Sequence, residues 1–256
     1  MMTGRGGMRR GEPSLARSVL VLGGLLMACT GALLAAKASS SPLVSVTAGL
    51  VFALLAGSGG EWLVHRHIMH RRSRLPLLRV VFELHHKAHH WVWFPPDDYF
   101  HEGPVEYASV LPPRIERVSA SRARAVVPYV VFYSSFAVPL AVFPAWLSGN
   151  PLFSAVLLLS IGLEIFLFVH VHDAVHYPGY SFLERFRWFR FLDRHHYLHH
   201  VDNRSNTNFL LPLADLLMGT LRLELDREER RAWPSWEEAR GRHAAKRADQ
   251  CPKTLA

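Results

Sequence analysis

The sequence predicts an all-α integral membrane protein, in which four transmembrane helices form two hairpins and a cytoplasmic helical cap covers one end. Three observations predict this fold class. Four apolar stretches are each long enough to cross a bilayer, lysine and arginine are unevenly distributed between them, and 16 histidines gather on one side. The chain has 256 residues, of which 50% are hydrophobic, and this is enough for one such domain.

The four apolar stretches cover residues 15–36, 42–60, 126–147 and 151–171. A spanning helix needs about 20 mostly apolar residues, and four such stretches with few charges disfavour a soluble helical core. The connections "KASSS" and "SGN" are short. Each pair of stretches is therefore predicted to form a helical hairpin.

The basic residues predict the orientation. Of the 29 lysines and arginines, four lie at or before the start of the first stretch, ten lie between residues 61 and 125, and fourteen follow residue 171. Only Lys37 lies in a hairpin loop. Because positive residues stay on the cytoplasmic side, we expect both termini and all the histidines there, with the hairpin tips on the far side.

The predicted division of the chain is a basic cytoplasmic N-terminus (1–14), a membrane domain (15–221) and a charged cytoplasmic tail (222–256) that forms a solvated helix. The segment up to "AKA" at 36–38 also resembles a cleaved signal peptide, but its apolar run is long, which favours a retained helix. With Cys29 and Cys251 as the only cysteines, the chain contains neither a disulfide framework nor a thiolate metal site.

Most histidines fall into four groups, "EWLVHRHIMH" (61–70), "ELHHKAHHWVWFPP" (83–96), "HVHDAVHYPG" (170–179) and "DRHHYLHHVDN" (193–203). A lone histidine near a membrane surface usually packs or meets solvent. His-x-x-His-His occurs twice, however, and positions i, i+3 and i+4 share one face of a helix. Because neutral imidazole is the commonest metal ligand, the four groups together predict a metal site.

The spacing selects the predicted ligands. His172 and His176 also share a helix face, whereas His65 and His70 are about 140° apart on a regular helix. That pair needs a local distortion to converge or else serves two different ions, with His67 as an alternative partner. The predicted metal ligands are His65, His70, His86, His89, His90, His172, His176, His196, His199 and His200.

The other histidines are expected to be structural. His85 and His195 should point away from the metal face, and no spacing argument supports His67, His101, His170 or His243. Ten ligands exceed what one ion takes, so two ions would receive about five each and keep open positions. Imidazole suits iron, zinc, copper and nickel alike, but zinc has no redox activity.

The ordered motifs resemble those of the integral-membrane fatty acid hydroxylase superfamily, which includes sphingolipid fatty acid 2-hydroxylases, sterol desaturases and sterol methyl oxidases. "HRHIMH" is similar to its His-Arg-x-x-x-His, "HHKAHHWVWFPP" to its His-x-x-His-His followed by Phe-Pro-Pro, "DAVHY" to its Asp-x-x-His-Tyr and "HHYLHH" to its last His-x-x-His-His. "PLADLLMGTL" (212–221) is similar to the segment that follows in the family. The resemblance covers residues 55 to 221.

The resemblance implies a fatty acid hydroxylase-like membrane domain that binds two non-haem irons and O2, with zinc as a possible substitute in a purified sample. It implies hydroxylation of an unactivated C–H bond in a lipid, most simply a fatty acyl chain or a sphingolipid-like lipid. Sterol or carotenoid hydroxylation and desaturation stay open. The relatives' further histidine is replaced by Tyr180, and His172, four residues before His176, is predicted to take its place.

The resemblance also implies partners. The sequence carries no cytochrome b5 domain, so the expected electron donor is a separate ferredoxin or cytochrome b5-type protein, which a basic face would attract. No nucleic-acid partner is expected. The competing hypotheses are a histidine-rich membrane metal transporter and an inactive scaffold. Glu164, inside the fourth stretch, is expected to be a proton route or a neutral acid bonded to another helix.

Overall fold

The computed structural model describes residues 12–101, 122–179 and 181–250, and all regular structure within these ranges is helical. The helices are α1 Leu15–Ala38, α2 Pro42–Val64, α3 Pro76–Phe82, α4 Arg122–Ser148, α5 Pro151–His176, α6 Arg187–Val201, α7 Leu213–Met218, α8 Glu229–Ala232 and α9 Trp236–Gln250. Helices α2 and α3 each continue directly into a π-helix, His65–Met69 and Glu83–Trp93 respectively. Short 3-10 turns cover Pro96–Asp98 and Phe182–Arg185.

Three helices of the described chain are long and apolar enough to cross a membrane: α1, α2 with its extension to Met69, and α5. Large apolar side chains on these helices are exposed, as Leu159 on α5 shows with 74% of its surface accessible. In α4 the described side chains begin at Ser134, and the apolar part Ser134–Ser148 is shorter than a span. The fourth span therefore stays a prediction.

The four long helices pack side by side. Helix α1 lies along α2, α4 lies along α5, and α2 packs against α5. Phe52 and Phe153 meet edge to face in the shared core, with their ring centroids 6.0 Å apart. Gly49 permits the close approach of α2 and α5, because a Cβ there would lie 2.9 Å from Val156 Cγ1.

Asn150 joins the helices at the end remote from the histidines. Its Oδ1 accepts the backbone N–H groups of Leu152 and Phe153, each at 3.1 Å, and so caps α5. Its Nδ2 donates to the carbonyl oxygen of Ala36 at 2.8 Å and to Ser45 Oγ at 2.9 Å. One side chain therefore fixes both helix pairs to each other.

The expected solvated helix of the tail is present as α9 and most of its described side chains are exposed, but one face packs against the rest of the protein. Arg240 on α9 forms ion pairs with Glu184 at 2.6 Å and with the fully buried Asp193 of α6 at 2.5 Å. His243 is itself buried, and Tyr197 donates to the Pro234 carbonyl at 2.6 Å. Arg240 therefore holds one face of α9 against α6, whereas Glu237, Glu238 and Arg242 are exposed.

Candidate metal centre

The histidines converge at one end of the helices, in two adjacent groups. Within each group, one nitrogen from every ring lies within 4.8 Å of the others. Group 1 contains His65, His70, His85, His90 and His199. Group 2 contains His89, His176, His196 and His200. Eight of the ten predicted ligands are among these nine, and two, His86 and His172, are not.

The first π-helix brings the side chains of His65 and His70 to the same side of the helix. The amide of His70 donates to the carbonyl oxygen of His65 at 3.1 Å, which is the i to i+5 bond of a π-helix. The extra residue in the turn places the two imidazoles over each other, with ring centroids 5.0 Å apart and planes 20° from parallel. The local distortion that the spacing required is therefore present.

The second π-helix changes which histidine faces the site. The prediction of His86, His89 and His90 assumed α-helical spacing, but the segment is a π-helix. In a π-helix the backbone hydrogen bonds join residues five apart, so His85 and His90 lie on the same side and their Nε2 atoms are 3.2 Å apart. The prediction that His85 points away from the metal face is wrong, because its Nε2 also lies 2.9 Å from His65 Nε2.

His86 lies at the edge of group 1. It is partly exposed, its Nδ1 is 2.8 Å from His70 Nδ1, and its Nε2 accepts the Trp91 indole N–H at 3.3 Å. The sequence contains two possible sets of three histidines in this segment. One is the predicted triplet, and the other is His85, His89 and His90 at i, i+4 and i+5. Choosing between the two patterns requires knowledge of the helix type.

Helix α6 has regular α-helical geometry, and its triplet is placed as the spacing predicts. His196, His199 and His200 are all buried and all belong to the groups. His195 turns away, and its Nε2 donates to the Asn208 carbonyl at 2.7 Å. The triplet is nevertheless divided, because His199 lies in group 1 while His196 and His200 lie in group 2.

Helix α5 supplies one member of group 2 and a neighbour. His176 Nε2 lies 3.2 Å from His196 Nε2. His172 is buried beside the group, with its ring centroid 4.6 Å from that of His196 and 4.9 Å from that of His89, and it stacks on Phe168. It is thus close to the candidate ligands without belonging to the set. Tyr180, which stands where the relatives have a further histidine, lies outside the described residues.

The distances between nitrogens fit bound cations. The Nε2 atoms of His70 and His199 lie 3.1 Å apart, and those of His89 and His200 lie 3.2 Å apart. Imidazole nitrogens bind a metal at about 2.0–2.1 Å, so two ligands of one ion are separated by about 2.9–3.4 Å. The two groups also touch, since the rings of His90 and His200 stack with centroids 4.0 Å apart.

Backbone carbonyls fix the direction of four imidazoles. The Nδ1–H groups of His65, His199 and His200 donate to the carbonyl oxygens of Thr207, Ser205 and Phe94 at 2.6, 2.7 and 2.7 Å. His176 Nδ1 donates to the carbonyl oxygen of Tyr99 at 3.4 Å. A proton held on Nδ1 leaves the lone pair on Nε2, so two lone pairs in each group are directed inward, as metal binding needs.

The loop Ser205–Asn208 supplies three of the carbonyls that bind histidines, and Asp215 holds this loop. Asp215 is fully buried, and its carboxylate accepts the Asn208 N–H at 2.6 Å and the Thr207 hydroxyl at 3.2 Å. It also accepts the hydroxyl of Thr220 at 2.5 Å. One buried carboxylate therefore helps to position the Thr207 carbonyl behind His65.

The remaining histidines lie outside the two groups. His170 is exposed and bonds to the Phe166 carbonyl at 2.8 Å, and His67 packs on Trp62. His101 packs on Phe94, and His243 lies against Phe100. These four are the ones for which no spacing argument existed.

Burial keeps the imidazoles outside the spans neutral. Desolvation, reinforced by neighbouring imidazoles, holds the pKa well below its ordinary value of 6.5 for His70, His85, His89, His90 and His196. The same causes lower the pKa of His199 and His200, against the effect of their carbonyl partners. Neutral imidazole is the form that binds metal, so the cluster is ready for cations at neutral pH.

The chemistry of the donors narrows the choice of metal. Both groups consist of imidazole alone, with neither thiolate nor carboxylate among the described candidates, and Cys29 is buried in α1. Such a set suits iron, zinc, copper or nickel, and it is unlike the oxygen-rich sites of calcium and magnesium. Groups of five and four donors could each hold one ion. The residues therefore fit a two-metal centre.

Comparison with known proteins gave no match: no family model, no curated protein and no solved structure is significantly similar to the chain. The geometry of the site therefore carries the functional argument.

The metal content of purified protein tests whether His85, and not His86, is a metal ligand of group 1. We expect His85→Ala to lose most of the metal of group 1, because it removes a nitrogen from the centre of that group. His86→Ala, the matched control, should bind nearly as much metal as the unchanged protein. Mass spectrometry of metals per chain in purified protein measures both. Equal losses in the two variants would contradict the placement.

Replacing Asp215 should weaken metal binding without removing a ligand. Asp215→Asn keeps the size of the side chain but loses one acceptor behind the Ser205–Asn208 loop. Removing such outer support typically lowers metal affinity by about 10–100-fold. Competition with a chelator measures the affinity, and Asp97→Asn, at an exposed position, is the control. An affinity within about twofold of the unchanged protein would argue against this role.

Acid should destabilise the metal-free protein. The folded state keeps the imidazoles neutral, whereas the unfolded chain protonates them below their ordinary pKa of 6.5. The free energy of unfolding is therefore unaffected above that pH and falls below it, by up to about 1.4 kcal/mol per pH unit for each such group. Thermal unfolding in detergent at about pH 7.5 and about pH 5.5 tests this sign. Unchanged melting over that range would contradict it.

Proposed function

We propose that this protein is a membrane-bound, O2-dependent oxygenase that uses two non-haem irons to hydroxylate an unactivated C–H bond of a lipid. One observation carries the proposal: two touching groups of mostly buried imidazoles lie where two candidate membrane spans end. The span that begins with α2 ends at Met69, among the ligands of group 1, and α5 ends at His176 of group 2. Few other uses explain so many imidazoles at the end of apolar helices.

The donor set supports redox chemistry better than a structural role. Structural zinc is usually closed by four ligands that include thiolates, and here nine imidazoles are divided between two groups. Iron bound there would supply the O2 and electron chemistry that zinc cannot. The net reaction places one atom of O2 in the C–H bond and releases the other as water, with two electrons and two protons consumed. The electrons would come from a separate ferredoxin or cytochrome b5-type protein.

The chain's own residues would bind the metals, position the lipid and exclude water. The Nδ1–H bonds to Thr207, Ser205 and Phe94 hold the rings so that the ligand atoms need little rearrangement when metal binds. The candidate spans bring an apolar chain to the groups from the bilayer. The burial of the imidazoles keeps bulk water away from the reacting carbon.

A fatty acyl chain or a sphingolipid-like lipid is the substrate class that we propose. Sterol or carotenoid hydroxylation, and desaturation in place of hydroxylation, use the same kind of centre. A metal transporter would place its ligands midway along facing helices. In the described chain both groups lie at helix ends instead, which favours the oxygenase.

Lipid mass spectrometry tests the function. Cells that produce the protein should contain a lipid class with one additional oxygen atom, or two fewer hydrogens if the reaction is desaturation. His196→Ala should abolish this product, because it removes a nitrogen from group 2. His170→Ala, which alters an exposed histidine outside both groups, should leave it unchanged. An unaltered lipid profile together with altered cellular iron or zinc would instead indicate transport.

A further inference from the structure

A pocket that is open on one side lies among α2, α4 and α5, within the apolar part of the molecule, and its accessible inner volume is about 60 Å³. Its described lining runs from Leu140 and Ile161 to Val64 and Phe168. Val64 directly precedes His65, and the ring of Phe168 stacks on His172 with centroids 5.4 Å apart. One end of the pocket therefore adjoins residues that neighbour the histidines.

Two carboxyl groups interrupt an otherwise apolar lining, and they differ in their partners. Glu61 accepts the Phe209 N–H at 2.9 Å and the Asn208 amide at 3.3 Å, so it is fixed to the loop beside the metal centre. Glu164 accepts and donates no hydrogen bond within the part of the chain that the structure describes. Its carboxyl lies against Gly57, where an added Cβ would collide with both oxygens.

The position of Glu164 determines which form of its carboxyl is stable. An ionised carboxylate in an apolar environment is costly, whereas the neutral acid has one O–H donor that still needs an acceptor. No other helix supplies that acceptor among the described residues. The molecule that fills the pocket can supply it. Glu164 precedes His172 by eight residues on α5, a rise of about 12 Å.

We propose that this pocket binds a segment of a single lipid chain and that Glu164 donates a hydrogen bond to an oxygen substituent in the middle of that chain. The preferred ligand is therefore a chain that already carries a hydroxyl or keto oxygen part-way along its length. That this ligand is also the substrate rests on the proposed oxygenase function. The selection of an oxygenated chain is a separate property of the pocket.

Oleate and ricinoleate test the proposal, because they differ only by one mid-chain hydroxyl. Binding is measured on the full chain, purified in detergent and loaded with zinc, by displacement of tritiated oleate. We expect ricinoleate to bind roughly three- to tenfold more tightly, which is the range for one buried hydrogen bond between neutral groups. Equal affinities, or no saturable binding of either acid, would overturn the proposal.

Variants at Glu164 separate the hydrogen bond from the fold. Glu164→Leu removes the donor and fills an apolar position, so both acids should bind with equal affinity. Glu164→Gln keeps a donor and should keep the preference for ricinoleate. Retention of the full preference in Glu164→Leu would overturn the proposal even if oleate binding were unchanged.

A glycine pair provides a second and independent test. Gly57→Ala keeps the carboxyl but displaces it, and the preference for ricinoleate should fall. Gly162→Ala on the same helix as Glu164 is the control, because an added Cβ there meets nothing within 4 Å. A loss in both variants or in neither would count against the role of Glu164.

Zinc-loaded protein keeps the two proposals distinguishable, because zinc does not support oxygenation. A preference for ricinoleate without any oxygenated product from iron-loaded protein would refute the function and leave the binding site standing. Oxygenated oleate without the preference would refute the role of Glu164 alone.

Discussion

The histidine end of the molecule depends on one constraint: imidazole nitrogens that face one another in a dry cluster need a proton or a cation between them. Burial opposes protonation, since it lowers the pKa of these rings. Carbonyls behind four of the rings accept hydrogen bonds from the Nδ1–H groups, so the Nε2 lone pairs are directed at neighbouring nitrogens. A bound cation would relieve the repulsion among those lone pairs, so metal binding and the packing of these helices would stabilise each other.

The sequence was sufficient to predict which histidines face the cluster where the helix is a regular α-helix, and insufficient where it is a π-helix. On α6, an α-helix, the i, i+3, i+4 triplet was placed correctly and His195 turned aside. In the second π-helix the same pattern selected His86, whereas the added residue per turn presents His85. The spacing of histidines along the sequence does not show which helix type the backbone adopts there. The apolar lengths similarly predicted α1, α2 and α5 as spans.

The outer support of the site could not be predicted from residue types. His65 and His199 bond to backbone carbonyls, and every residue has a carbonyl, so no sequence motif identifies the two that are used. In "PLADLL", Asp215 looks like an ordinary acidic residue of a short helix. The packed face of the charged tail was missed for a related reason. A charge pattern alone does not show that Arg240 has a buried partner across the fold.

Consecutive residues on two elements belong to different groups. His89 and His90 on the second π-helix face groups 2 and 1, and His199 and His200 on α6 face groups 1 and 2. One peptide unit thus joins the two centres on each element, and neither element can shift to suit one ion without moving a ligand of the other. The first ion to bind would organise the second site, so loading is expected to be cooperative, and a chain with a single ion should be scarce at equilibrium.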